Sequence, residues 1–124
     1  MKKKETVVLV GASSKPDRYA YKAMVLLAEN GHHVFPVHPR EKEILGHPVY
    51  ARLADIPGVP IDTVTLYVGA ETSRALHAAL STLRPKRVIF NPGAENLVLA
   101  EALRSEGIVC MEACTLVLLK TSQF

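Results

Sequence analysis

Apolar residues follow two alternating rhythms along this chain. Short runs dominated by aliphatic and β-branched residues fall at Thr6–Val10, His33–Val37, 63–68, Arg87–Phe90 and 108–111. They are apolar almost throughout rather than at every second position. Each therefore predicts a strand covered on both faces, as in a parallel sheet. Between them the spacing turns helical. Ala20, Ala23, Met24, Leu27 and Ala28 form one stripe of a helix beginning near Arg18, with Gly31 as its stop. Leu76, Ala79, Leu80 and Leu83 form the stripe of a second helix over 72–83, with Thr72 or Ser73 as its cap. A third helix is expected over 94–105, ending before Gly107. The segment 41–60 has a weaker pattern, with a turn at Ile44-Leu45-Gly46, a short extended piece at Val49-Tyr50 and a helical turn near 52–56. Pro36 inside the second run predicts an irregular or partly unpaired strand. No structure is assigned to the apolar tail from Thr115 to Leu119.

This alternation predicts an α/β protein with a three-layer Rossmann-like fold. It has a parallel five-stranded sheet, in the order 3-2-1-4-5 counted along the chain, and helices on both faces. The whole chain, 1–124, reads as one domain. Ligands of such sheets bind above the carboxyl ends of the strands, where the order reverses. The strand-end segments are therefore the candidate site. The first is Gly11-Ala12-Ser13-Ser14-Lys15, with Arg18 behind it. The second is His38-Pro39-Arg40, the third Val68-Gly69 and the fourth Asn91-Pro92-Gly93, and Cys114 lies just past the fifth strand.

The first of these reads as a phosphate cradle, with backbone amides and a helix N-terminus facing an anion. It also reads as a plain strand-to-helix turn with serine as a cap. It is not a full dinucleotide fingerprint, because only Gly11 of the expected glycines is present. The end of the second strand discriminates further. An NAD site places an acidic residue there to hold ribose hydroxyls. Here Arg40 offers a guanidinium suited to a phosphate on the ribose, which NADP carries at the 2′ position and coenzyme A at the 3′ position.

Charge and composition narrow the classes. The chain of 124 residues is 48% hydrophobic and 22% charged, lacks tryptophan and has a formal charge of +3. Lys2, Lys3 and Lys4 account for all of that excess and read as a solvated end, so no nucleic-acid face is indicated. No stretch approaches the roughly 20 apolar residues of a membrane span, and no export signal is recognisable, which leaves a cytoplasmic protein as the expectation. Five histidines are scattered without metal-ligand spacing. Cys110 reads as a small core residue. Cys114 is open to two readings, burial or contact with a ligand thiol. No catalytic constellation emerges from spacing.

Several stretches together resemble a known family, the small single-domain CoA-binding proteins related to the N-terminal domain of the succinyl-CoA ligase alpha subunit. They are Val10-Gly11-Ala12-Ser13 with Pro16 and Arg18, then 31–39, Ile44-Leu45-Gly46 and Asp62-Thr63-Val64. Asn91-Pro92-Gly93-Ala94-Glu95-Asn96 and Glu112-Ala113-Cys114-Thr115 complete the set. The resemblance implies a Rossmann-like fold that holds coenzyme A or an acyl-CoA along the strand ends, without chemistry of its own. It implies that Gly11, Ala12, Ser13 and Arg18 line the pyrophosphate and that His38, Pro39 and Arg40 sit at the 3′-phosphate. Val68, Gly69, Asn91, Pro92 and Gly93 would flank the adenine or pantetheine. His38 departs from the asparagine usual in that family. The alternative is an NADP-binding oxidoreductase or redox-sensing regulator. Either way the expected partner is a small nucleotide ligand, with a homo-oligomer or a protein partner left open.

Overall fold

The computed structural model describes residues 3–124. Five strands, β1 (Thr6–Val10), β2 (His33–Val37), β5 (Thr63–Leu66), β6 (Arg87–Phe90) and β7 (Val109–Glu112), form one parallel sheet. Two-residue strands β3 (Glu43–Ile44) and β4 (His47–Pro48) pair as a small antiparallel hairpin after β2. The helices are α1 (Tyr19–Glu29), α2 (Ala70–Arg74), α3 (His77–Leu83), α4 (Leu97–Ser105) and α5 (Thr115–Lys120), with a 3-10 turn at Leu53–Asp55.

The class is the expected α/β Rossmann-like one, but the strand order is corrected. The sheet runs β2-β1-β5-β6-β7, which is 2-1-3-4-5 in the counting used above, not 3-2-1-4-5. Pro36 gives the physical reason. A strand between two neighbours must donate amides on both sides, and proline has none to give. Pro36 turns its carbonyl to the outer side of β2, where it accepts the Tyr50 amide at 2.9 Å. The next residue, Val37, faces β1. β2 is thus an edge strand, and the third long strand pairs with β1 on the opposite side, in the register Val7↔Thr63 to Val10↔Leu66. The switch point accordingly lies between β1 and β5.

Each face of the sheet has its own apolar layer. Val7 and Leu9 point to the face covered by Ala23, Met24 and Leu27 of α1 and by Leu116 and Leu119 of α5. Val8, Val10, Val64 and Leu66 point to the other, covered by Leu53, Leu80, Leu99 and Leu103. The apolar tail is therefore core-forming helix. Ala28 is exposed and does not extend the α1 stripe.

Local boundaries differ in ways the side chains explain. The helix expected over 72–83 is two short helices, and Gly69, not Thr72 or Ser73, precedes the first. Ser73 is fully buried and accepts the Asn96 amide at 2.9 Å, a tie to the neighbouring turn rather than a cap. Asn96 caps α4 by accepting the Leu99 amide at 3.1 Å, so the third helix starts at Leu97 rather than near 94. The strand expected over 63–68 ends at Leu66, and the fifth is Val109–Glu112. Of the lysine run, Lys2 lies outside the described residues. Lys4 is not simply solvated, since its Nζ donates to the Asn30 carbonyl at 2.7 Å and closes the exposed end of α1.

Asn91 holds three elements at once. Its Nδ2 donates to Thr65 Oγ1 at 2.7 Å and to the Leu66 carbonyl at 2.8 Å, and its Oδ1 accepts the Thr115 amide at 2.9 Å. Thr65 and Thr115 then share a hydroxyl hydrogen bond of 2.8 Å. All three residues are buried. Removing the amide strands several buried partners, each costing about 1–3 kcal/mol. Asn91→Ala is therefore expected to lower the unfolding free energy by about 3 kcal/mol or more, read as a shifted urea midpoint. A change below about 0.5 kcal/mol would show the network to be dispensable.

Candidate functional site

The loop after β1 is shaped by one close approach. Gly11 has φ +88°, and a Cβ there would stand 2.8 Å from the Tyr67 carbonyl oxygen and 2.9 Å from Val68 Cγ1. Both the backbone conformation and the packing require glycine. The turn lets the amides of Gly11 and Ala12 converge on the Val37 carbonyl, at 3.0 and 3.1 Å. The end of β1 is thereby tied to the end of β2. These two amides are spent on the fold. The donors left in the loop for an anion are those of Ser13, which has no protein acceptor among the described residues, and Ser14. The Lys15 amide turns back to Ser13 Oγ at 3.1 Å. Helix α1 follows without a side-chain cap, leaving its first-turn amides for the space above.

The loop after β2 is shaped by an imidazole. His38 Nδ1 accepts the amides of both Arg40 and Glu41 at 3.0 Å. Both bonds need the Nδ1 lone pair, which places the proton of the neutral ring on Nε2. His38 thus does what an asparagine oxygen does in an Asx turn, so a histidine in place of the asparagine that the resemblance leads one to expect keeps the turn. The His38 amide donates to the Tyr50 carbonyl at 3.0 Å, anchoring the loop to the edge of β2. The loop turns Glu41 back over the first one, where its Oε2 accepts the Ser14 amide at 2.9 Å. Hydrogen bonding from the Ser14 hydroxyl and amide holds the Glu41 carboxyl below its ordinary carboxylate value.

The two loops enclose a cleft of about 730 Å³ at the switch point. Of the residues expected from sequence, it brings together Gly11, Ala12, Ser13, Ser14, Lys15, Arg18, His38, Arg40 and Val68. Pro39, Gly69, Asn91, Pro92, Gly93 and Cys114 do not line it. Asn91 is buried in its structural network, Pro39 and Gly69 are exposed beyond the rim, and Pro92-Gly93 forms an exposed turn past β6. Cys114 is half-buried at the start of α5 and packs against the core of that face. Four lining residues escaped the sequence reading: Tyr19, Ala20, Glu41 and Tyr67. The first two are the opening residues of α1, and Tyr67 directly follows β5 at the switch point. Placing β5 beside β1 would have found it. Burial pushes the Tyr67 phenol up to about 12, so it stays neutral at ordinary pH. Its hydroxyl lies enclosed near Thr115 and Thr65 without closing a hydrogen bond to either.

A second groove, of about 400 Å³, runs between α2 and α4 and is lined by Glu71, Arg74, His77 and Val98 among others. It lies away from the β1 loop. No three His, Cys, Asp or Glu side chains gather as a metal ion would need among the described residues. Among the described residues no helix is long and apolar enough to cross a membrane.

A cleft at the switch point with three cations, Lys15, Arg18 and Arg40, has the chemistry of a phosphate holder. The sequence profile of the CoA binding domain family matches residues 5–120. The chain belongs to that family. The uncharacterised protein YneT of Bacillus subtilis is 30% identical over 71 residues. That match covers 57% of this chain and 52% of the relative, about half its length. A crystal structure of an uncharacterised protein superposes with a TM-score of 0.92 at 36% identity, covering 99% of this chain and 100% of the other. A hypothetical protein from Pyrococcus horikoshii OT3 superposes with a TM-score of 0.89 at 28% identity, over 95% of this chain and 83% of that one.

The role of His38 in the turn can be separated from its identity as a histidine. His38→Asn keeps an acceptor for the two amides and is expected to unfold within about 0.5 kcal/mol of the parent. His38→Ala is expected to lose about 1–2 kcal/mol. Urea unfolding of both variants decides it, and equal losses would show that the turn does not depend on this acceptor.

Proposed function

We propose that the cleft binds coenzyme A or an acyl-CoA and carries out no chemistry on it. The observation that carries this reading is the convergence of Lys15, Arg18 and Arg40 on one cleft beside the Ser13–Ser14 amides, in a chain of the CoA binding domain family. The pyrophosphate would lie on Ser13, Ser14 and the first turn of α1, where amides and helix dipole favour anions. Gly11 and Ala12 contribute by their smallness, which lets a ligand approach the backbone, rather than by their amides. Lys15 and Arg18 would neutralise the diphosphate. Arg40 would take the 3′-phosphate, with the His38 Nε2 proton as a further donor and Pro39 as the rigid edge of the turn. From the pyrophosphate the pantetheine arm would leave past Val68 and Gly69 toward the turns at Asn91-Pro92-Gly93 and Cys114. A protein of this kind works as a small-ligand module in the cytoplasm, alone, as a homo-oligomer or with a protein partner.

Calorimetric titration with CoA, dephospho-CoA and NADP tests the assignment. One charge-assisted contact from Arg40 to the 3′-phosphate is worth about 1.5 kcal/mol, so CoA is expected to bind about tenfold more tightly than dephospho-CoA. Arg40→Ala should erase most of that ratio. Equal affinity of the two forms would overturn the role of Arg40. Binding of NADP in preference to CoA would move the site to the oxidoreductase or redox-sensor reading.

A further inference from the structure

The cleft already holds an anion of its own. Glu41 lines it, and its carboxylate sits on the Ser14 amide at 2.9 Å, one of the two amides that the β1 loop leaves for a phosphate. This placement is not the chance pose of a free side chain. The Glu41 backbone is pinned by His38 Nδ1 at 3.0 Å, and the same nitrogen pins Arg40. The turn therefore aims the carboxylate and the guanidinium into one cleft from adjacent positions. A phosphate has stronger acceptors and more charge than a carboxylate, and it uses the same kind of donor. The two cannot share one N–H without bringing like charges into contact.

We infer that Glu41 is a built-in competitor for the phosphate cradle: it occupies the Ser14 amide and must swing away when a phosphate-bearing ligand enters. Three consequences follow. Before a ligand enters, one carboxylate sits among the cations and ties the His38 turn to the β1 loop. Weak or singly charged anions fail to displace the carboxylate, so the site selects ligands that bring several phosphate charges at once. Entry of the ligand frees the Glu41 side chain from the β1 loop and so reports occupancy to the exposed Pro39–Glu43 surface. The identity of the ligand as CoA rests on the function proposed above, whereas the competition depends only on phosphate chemistry.

The test uses the full chain with Glu41→Gln and Glu41→Ala, titrated calorimetrically with CoA and separately with inorganic pyrophosphate. Glutamine keeps the size and an acceptor oxygen but not the charge. Both variants are expected to bind both probes about fivefold more tightly than the parent, the scale of an exposed charge interaction removed. Unchanged or weaker binding of both probes by both variants would overturn the competition and make Glu41 a simple loop tether. In the unmutated protein, the Glu41 carboxyl carbon resonance should move toward its free-carboxylate position on adding either probe. A resonance that stays fixed while the probe binds would overturn displacement even if a variant folds poorly. If pyrophosphate binding tightens in the variants while CoA binds to none of the proteins, the competition stands and the CoA assignment falls. If neither probe binds any of the proteins, both fall.

Discussion

Everything in this site depends on the approach of Gly11 to the backbone of Tyr67 and Val68. β1 lies at the centre of the reversal in strand order, with β2 on one side and β5 on the other. For the chain to leave β1 toward α1 it must pass over the end of β5 at a distance that no side chain tolerates. The left-handed turn that results directs two consecutive amides onto the Val37 carbonyl. That junction fixes the β1 loop against the end of β2. The cleft is the space left between the loop and the His38 turn. A residue with a Cβ at position 11 would push the loop off Val68 and separate the cations that face each other across the cleft.

The electrostatics follow from which amides that junction consumes. Gly11 and Ala12 serve the fold, and Ser13, Ser14 and the first turn of α1 keep the amides that the proposed phosphate ligand would use. Around them stand Lys15, Arg18 and Arg40, all exposed and so screened by salt. Enclosure of a phosphate between them would strengthen each contact. Glu41 works against this, as a carboxylate held within the same set of donors. A cleft that only attracted phosphate would bind any of them. One that carries its own anion binds those able to displace it.

The strands and the class of fold were legible because continuous apolar runs and helical stripes are strong, local signals. The rim loops were legible for the same reason, as segments following those runs. The order of the strands was not, although its decisive residue was in view. Pro36 was recognised as awkward in a strand, and the further step, that a missing amide belongs on an outer edge, yields the observed order. Ser73 serves Asn96 rather than a helix end, through a contact made across more than twenty residues and invisible to local spacing. The inward turn of Asn91 and the place of Glu41 in the cleft were not legible for a related reason. Asn91 lies at a strand end yet turns inward to bond Thr65 and Thr115, and Glu41 lies in a charged loop yet turns back into the cleft. In both, the direction of the side chain is set by tertiary hydrogen bonds.

The amides of Ser13 and Ser14, with the first turn of α1, are proposed to hold the ligand's pyrophosphate. Backbone amide NMR of the labelled protein, titrated with CoA, tests it most directly. The largest shifts are expected at Ser13, Ser14 and Tyr19–Tyr21, accompanied by His38–Glu41, with little change along α4. Shifts concentrated instead at Glu71, His77 and Val98, in the groove between α2 and α4, would contradict it.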